Sequence, residues 1–286
     1  MHKTVLMRLL SPCINWLKVY AQKTPNVMSS ASISSASNTS ILTEDQLFIW
    51  KTEQSKLQKQ IDYKDDINLC DISRVAGLDI SMHKDQSLNI VCVTLVVLDF
   101  QTLEVLYEDS VLEELTIPYK AGFLGFREVP LFQKRVKKLQ KLPNLMAQIF
   151  LVDGNGQLHV RRCGSATHLG IVCDIPTIGV AKNLQCIEED EISRDEEHKR
   201  KINQLDEPGK QFPIISGKGE TIGMAVRTSI DGKNPVYISP GNKCSMETAV
   251  DIVTKCSRFR IPEPIRQADM RSRELLRKSY PGWYDN

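Results

Sequence analysis

Three runs rich in valine, isoleucine and leucine follow one another between residues 73 and 111: SRVAGLDISMH, LNIVCVTLVVLDF and LEVLYEDSV. Only Gln101 and Thr102 separate the second from the third. So short a connection makes neighbouring strands antiparallel, because a parallel pair needs a crossover of about a dozen residues or more. Beyond them the pattern alternates between helix and strand. FREVPLFQKRVKKLQKL (126–142) predicts a helix with Pro130 in its first turn. AQIFLVDGNG (147–156) predicts a buried strand, RRCGSATHLGIVCD (161–174) a helix, and IPTIGVAK (175–182) another strand. The order βββαβαβ predicts an α/β fold with a mixed sheet, three antiparallel strands followed by parallel ones, and helices on both faces.

The flanks add to this frame. Thr43 and Gln46 have the spacing of a capping box. The helix they open, EDQLFIWKTEQSKLQKQI, carries Leu47, Trp50, Leu57 and Ile61 on or near one face. After the core, residues 186–211 are charged and read as a solvated helix or insertion loop. GETIGMAVRTS and NPVYISPG predict a hairpin, and Ser245 caps a helix that stops before the prolines of IPEP. The basic segment DMRSRELLRKSY predicts a last helix. GKGETIG (217–223) lacks the spacing and the βαβ entry of a dinucleotide loop.

Charge and cysteine usage exclude more than they suggest. Lys and Arg number 37 against 35 Asp and Glu, so a nucleic-acid partner must be held by a local basic patch. The eight cysteines show no CxxC pair and no zinc-ligand spacing, and several lie in apolar runs as buried free thiols do. No apolar run reaches the roughly 20 residues of a membrane helix. Residues 1–43 contain no Asp or Glu and become rich in serine, which fits a disordered extension or a mitochondrial targeting segment. The catalytic domain is therefore expected over 44–280, with 186–211 as an insertion.

Carboxylates inside apolar strands are the chemical signal. Asp79 interrupts VAGLDIS and Asp153 ends QIFLVDG. Each costs free energy there unless it is paired or holds a cation. Two of them on adjacent strands suit a hard cation such as Mg²⁺. Asp99, beside the hairpin turn, is by contrast an ordinary turn-former.

These residues sit within five motifs that together resemble the endonuclease V family: RVAGLDIS (74–81), PYKAGFLGFREVP (118–130), LVDGNGQLH (151–159), HLGIVCDIPTIGVAK (168–182) and FRIPEPIRQAD (259–269). They follow the family's order over roughly residues 45–280. The resemblance implies an RNase H-like fold. It also implies an Mg²⁺-dependent nuclease, with Mn²⁺ as substitute, that recognises inosine and cuts the second phosphodiester bond on its 3′ side. By this likeness Asp79, Glu128, Asp153 and Asp269 are the metal-binding carboxylates, and Lys182 is the positive charge near the scissile phosphate. His159 is implied as a nucleotide contact. A Pro-Tyr-Ile-Pro wedge that fills the gap left by a flipped base is here Pro118-Tyr119-Lys120-Ala121, so its Pro-Tyr half is kept and its Ile-Pro half is not. Gly122, Leu124, Gly154, Gly156 and Gly179 match base-pocket positions. Gly241-Asn242-Lys243 departs from an expected Gly-His-Arg.

The expected partner is inosine-containing single-stranded RNA, with deoxyinosine-containing DNA as the alternative, no membrane, and a monomeric protein. The expected location is cytoplasmic or nuclear, including nucleolar, with mitochondria as the alternative raised by the N-terminus. Another RNase H-like nuclease, such as a junction resolvase, would share the carboxylates but not the Pro-Tyr wedge or FRIPEP. An inactive nucleic-acid-binding descendant would have lost a carboxylate, and all four are present.

Overall fold

The computed structural model describes residues 42–66 and 68–281. The expected extension over residues 1–43 lies almost wholly outside them. An eight-stranded sheet forms the middle layer, in the order β3-β2-β1-β4-β5-β8-β7-β6. Its strands are β1 (Arg74–Met82), β2 (Ile90–Asp99), β3 (Val105–Glu114), β4 (Ile149–Asp153), β5 (Thr177–Ala181), β6 (Gln211–Ile215), β7 (Thr221–Val226) and β8 (Val236–Asn242). β1, β2 and β3 pair antiparallel, β1–β4 and β4–β5 pair parallel, and β8, β7 and β6 continue antiparallel. The mixed α/β sheet expected from the sequence is thus the one observed.

The helices are α1 (Glu44–Gln58), α2 (Leu124–Leu139), α3 (Ser165–Cys173), α4 (Glu196–Asn203), α5 (Met246–Lys255) and α6 (Glu263–Ser279). α2 turns Val129, Phe132, Val136 and Leu139 onto one face of the sheet, where they meet Ala76, Leu78, Val93 and Phe150. That spacing of three and four residues is the helical stripe a buried face requires. On the other face, α5 and α6 bring Ala249, Ile252, Val253, Ile265 and Ala268 against Val75, Leu151 and Ile178. α6 lies so close that a Cβ on Gly77 would stand 2.0 Å from the Pro264 carbonyl oxygen. Any side chain at position 77 would push α6 off the sheet.

Thr43 and Ser245 cap α1 and α5 as expected, Thr43 within a complete capping box. Asp99 accepts the backbone N–H groups of Gln101 and Thr102 across the β2–β3 turn. The first four residues of GKGETIG turn likewise between β6 and β7, and Thr221 to Gly223 open β7.

Three readings need correction. Pro130 stands inside α2 and not in its first turn, because the helix starts at Leu124, two residues before the expected run. β6 was not foreseen; its sequence QFPII is short and contains Pro213, and such a strand is tolerated at the sheet edge, where β6 lies. The charged segment 186–211 holds a largely exposed helix, α4, as expected, but it is also anchored: Ile187 and Ile192 join Leu158, Ala181, Ile222 and Tyr237 in a small third core. Within it His198 is held to the Tyr237 hydroxyl at 2.8 Å.

Candidate active site

β1 and β4 run in parallel register from Val75 opposite Ile149 to Leu78 opposite Val152. The next residue on each strand is an aspartate, Asp79 and Asp153. Strand alternation turns both toward the α6 layer. Asp79 is only 5% exposed. Its carboxyl is in hydrogen-bond contact with that of Asp153. Lys182, the residue after β5, places Nζ 2.5 Å from Asp153 Oδ2. Burial, then the charges of Asp153 and Asp269, hold the Asp79 carboxyl well above the usual carboxylate range. Burial alone would lower the Lys182 pKa, but Asp153, Asp79 and Asp269 outweigh it and the net shift is upward.

Two further carboxylates flank this centre from opposite layers. Asp269 projects from α6, where Arg273 Nε reaches its Oδ1 at 2.9 Å. One turn on, the Ser272 hydroxyl lies 3.4 Å from Asp79 Oδ2 and 2.6 Å from the Ser81 hydroxyl. Glu128 comes from α2 and accepts a 3.1 Å hydrogen bond from the Ser165 hydroxyl at the start of α3. Burial pushes the Glu128 carboxyl up to about 8; the Ser165 bond opposes this, while Asp153 and Asp79 add to it.

Among the described residues, no three His, Cys, Asp or Glu side chains converge as a finished metal shell. The donor chemistry nevertheless fits a hard divalent cation. All four acidic groups offer oxygen, which such ions prefer. The buried Asp79 also stands against a like group, the half-buried Asp153, an arrangement that a cation relieves.

A different arrangement holds the loop before α2. Tyr119 is 65% exposed, with Lys120 and Ala121 also at the surface and Pro118 half-buried. Gly122 then turns with φ of 77°, a conformation that favours glycine. Its carbonyl accepts from Gln54 Nε2 at 3.1 Å and from the Arg161 guanidinium, and the His159 ring also bonds to it. His159 is buried, and its Nδ1 accepts from the Arg161 backbone N–H at 3.2 Å. Burial, then the neighbouring Arg161 charge, pushes His159 down to about 3, so the ring is neutral. Leu124 opens α2 and is half-buried.

Two of the remaining glycines expected at the base pocket, Gly156 and Gly179, allow chains to approach closely. A Cβ on Gly179 would stand 2.3 Å from the Gly156 nitrogen, and one on Gly156 would stand 2.2 Å from the Pro240 carbonyl oxygen. Gly154 carries the chain out of Asp153 with φ of 151°. Asn242, whose departure from the expected pattern had no evident consequence in the sequence, is a buried staple. It accepts from the Asp62 N–H at 3.1 Å and donates to the Gly170 carbonyl at 3.2 Å.

Sequence reasoning did not find Gln54, Arg161, Ser165 or Ser272. Gln54 sits on a helix whose other polar residues are solvated, so nothing in its type or spacing sets it apart. Ser165 and Ser272 act only through carboxylates that distant segments supply.

The family model for endonuclease V matches residues 55–270. The chain belongs to the endonuclease V family. It is 45% identical to human endonuclease V over 243 residues, which cover 82% of this chain and 85% of that protein. The fold is also similar to the crystal structure of the human catalytic domain, with a TM-score of 0.81 at 44% identity, covering 84% of this chain and 99% of that one. A Ciona intestinalis endonuclease V, solved with DNA containing an inosine followed by a ribo-adenosine, is 37% identical with a TM-score of 0.79, over 83% of this chain and all of that one. Endonuclease V proteins are nucleases that hydrolyse phosphodiester bonds, and this chain is such an enzyme.

Proposed function

We propose that this chain is a Mg²⁺-dependent endonuclease that recognises inosine in single-stranded RNA and hydrolyses the second phosphodiester bond on its 3′ side. The observation that carries the reading is the contact of Asp79, within β1, with Asp153 and Lys182 at the ends of β4 and β5. Glu128 and Asp269 complete the acidic set from the two helical layers. A divalent cation held there supplies Lewis acidity to a phosphate oxygen and lowers the pKa of a bound water.

The residues of the chain do the rest. Lys182 offers a cation to the phosphate whose bond is cut. The exposed Tyr119 stacks on a base or fills the gap that an extruded base leaves. Lys120 gives this loop a charge where the family's wedge is apolar, which favours contact with a backbone phosphate. Backbone groups of the glycine-rich turns read the hypoxanthine edge, a 6-oxo acceptor with an N1–H donor. His159, neutral and buried, serves the nucleotide indirectly by holding the Gly122 turn.

Preference for RNA rests on the cost of extrusion and on the sugar. A single strand needs no unpairing before its base leaves the stack. Only the 2′-hydroxyl distinguishes RNA from DNA at a given position. The Ciona relative was solved with a ribonucleotide directly after the inosine, which fits a role for that hydroxyl. The test uses three single-inosine strands in Mg²⁺: RNA, DNA, and DNA with one ribonucleotide 3′ to inosine. We expect RNA and the chimera to be cut faster than DNA. Equal rates on all three would favour the second reading, a nuclease of deoxyinosine in DNA.

The same chemistry suits the cytosol or nucleus, where inosine-bearing RNA is met. The acid-free residues 1–43 make mitochondria the alternative, and the location of a fluorescent fusion with and without them distinguishes the two.

A further inference from the structure

We infer that Gln54 and Arg161 are positioning residues that lock the base-reading loop to the segment leaving Asp153, and so set the distance between the base that is read and the bond that is cut. The inference rests on the function proposed above.

Gln54 is 1% exposed, although it lies on helix α1, outside every motif. Its amide nitrogen donates to two carbonyls at once, Gly122 and Cys163, each at 3.1 Å. Its amide oxygen accepts from Arg161 Nε. The Arg161 guanidinium also donates to the Gly122 carbonyl and lies 4.2 Å from the centre of the Phe123 ring. One carbonyl, at the turn that follows Tyr119, thus receives donors from α1 and from the 157–163 segment.

The surroundings hold the clamp rigid. Trp50, one turn before Gln54, stacks on Phe126 with ring centres 4.8 Å apart and also meets Phe123. A Cβ at Gly122 would come within 2.9 Å of the Arg161 guanidinium, so the turn has no slack on that side. The 157–163 segment is continuous with Asp153 at one end and with Ser165, the partner of Glu128, at the other. The clamp therefore joins the exposed loop to the segment from which the acidic groups are placed. Neither clamp residue approaches those groups itself, so its loss acts on register and selectivity rather than on the chemistry.

Gln54→Met keeps the length and removes all three hydrogen bonds. Arg161→Lys keeps a cation and removes the planar fork. Both variants are compared with the full-length wild-type chain on RNA strands bearing one inosine or one adenosine in the same sequence, with product ends mapped to the nucleotide. We expect each variant to lose about tenfold in its inosine-over-adenosine ratio, the worth of one net hydrogen bond. We also expect cuts at bonds beside the wild-type one, with the rate at saturating inosine strand retained. If either variant folds with its thermal midpoint kept and cuts at the wild-type bond with wild-type selectivity, the clamp is only structural and the inference fails. A uniform loss of rate with unchanged ends and selectivity overturns it as well. If Gln54→Met does not fold, the Arg161→Lys result decides. Failure of the wild type to prefer inosine would instead overturn the proposed function, which the same assay reports separately.

Discussion

The two halves of this site are supported in opposite ways. Asp79 lies within β1, Asp153 ends β4 and Lys182 follows β5, where sheet register fixes them to one another. The Tyr119 loop belongs to no strand or helix, and three polar side chains converging on one carbonyl restrain it. The first half is under electrostatic stress, with the buried Asp79 carboxyl against the half-buried Asp153. The second carries no such stress and has an exposed aromatic at its tip. In the proposed function, chemistry that must place a cation to within a fraction of an ångström falls to the rigid sheet. In the same proposal, recognition, which must admit a moving base, falls to a loop held at one point.

The comparison breaks most easily at the acidic centre. Asp79→Ala should lose detectable cleavage in Mg²⁺ yet keep the fold, because it also removes a buried carboxyl that stands against the half-buried Asp153. Single-turnover cleavage and a thermal melt check both halves of that statement, and a destabilised variant would show that the pair is not under stress. Lys182→Met should lower the cleavage rate by about 10²–10³-fold, as removal of one preorganised charge-stabilising group does, with little change in strand affinity. A loss confined to affinity would place Lys182 on the reading side. Tyr119→Ala should do the reverse, weakening binding by roughly 1–3 kcal/mol, the worth of one stacked base. Its effect on melting should be small, since the ring is 65% exposed.

The smallest expected effect sharpens the electrostatic side of the comparison. Glu128 has a folded pKa of about 8 against an ordinary value of 4.5. The folded state therefore holds the proton more tightly than the unfolded one. Its contribution to stability is complete below the ordinary value and is lost as pH rises toward about 8. In chelator, the thermal midpoint of the wild type should fall more steeply over that window than that of Glu128→Gln. Mg²⁺ at the upper end should restore part of the loss. Parallel pH slopes for the two proteins would remove Glu128 from the stressed set.

The same contrast explains what the sequence revealed. Asp79 and Asp153 were legible because a carboxylate in an apolar strand run is costly and therefore conspicuous. The βββαβαβ order was legible from apolar runs and one two-residue turn. Gln54 was not, because a glutamine on an amphipathic helix resembles its solvated neighbours until the distant Gly122 and Cys163 carbonyls are brought to it. Asn242 was hidden for the same reason: its partners, Asp62 and Gly170, are 180 and 72 residues away. β6 escaped because Pro213 argues against a strand everywhere except at an edge, and edge position is a property of the assembled sheet. Local chemistry showed through the sequence, and contacts assembled from distant segments did not.

The most direct test of a cutting centre and a reading loop on separate supports measures affinity and single-turnover rate for Asp79→Ala and Tyr119→Ala on one single-inosine RNA. The account predicts that Asp79→Ala binds as the wild type does and does not cut. It predicts that Tyr119→Ala binds more weakly and, once saturated, cuts at the wild-type rate. Cleavage by Asp79→Ala in Mg²⁺, or a saturated Tyr119→Ala that fails to cut, would contradict it.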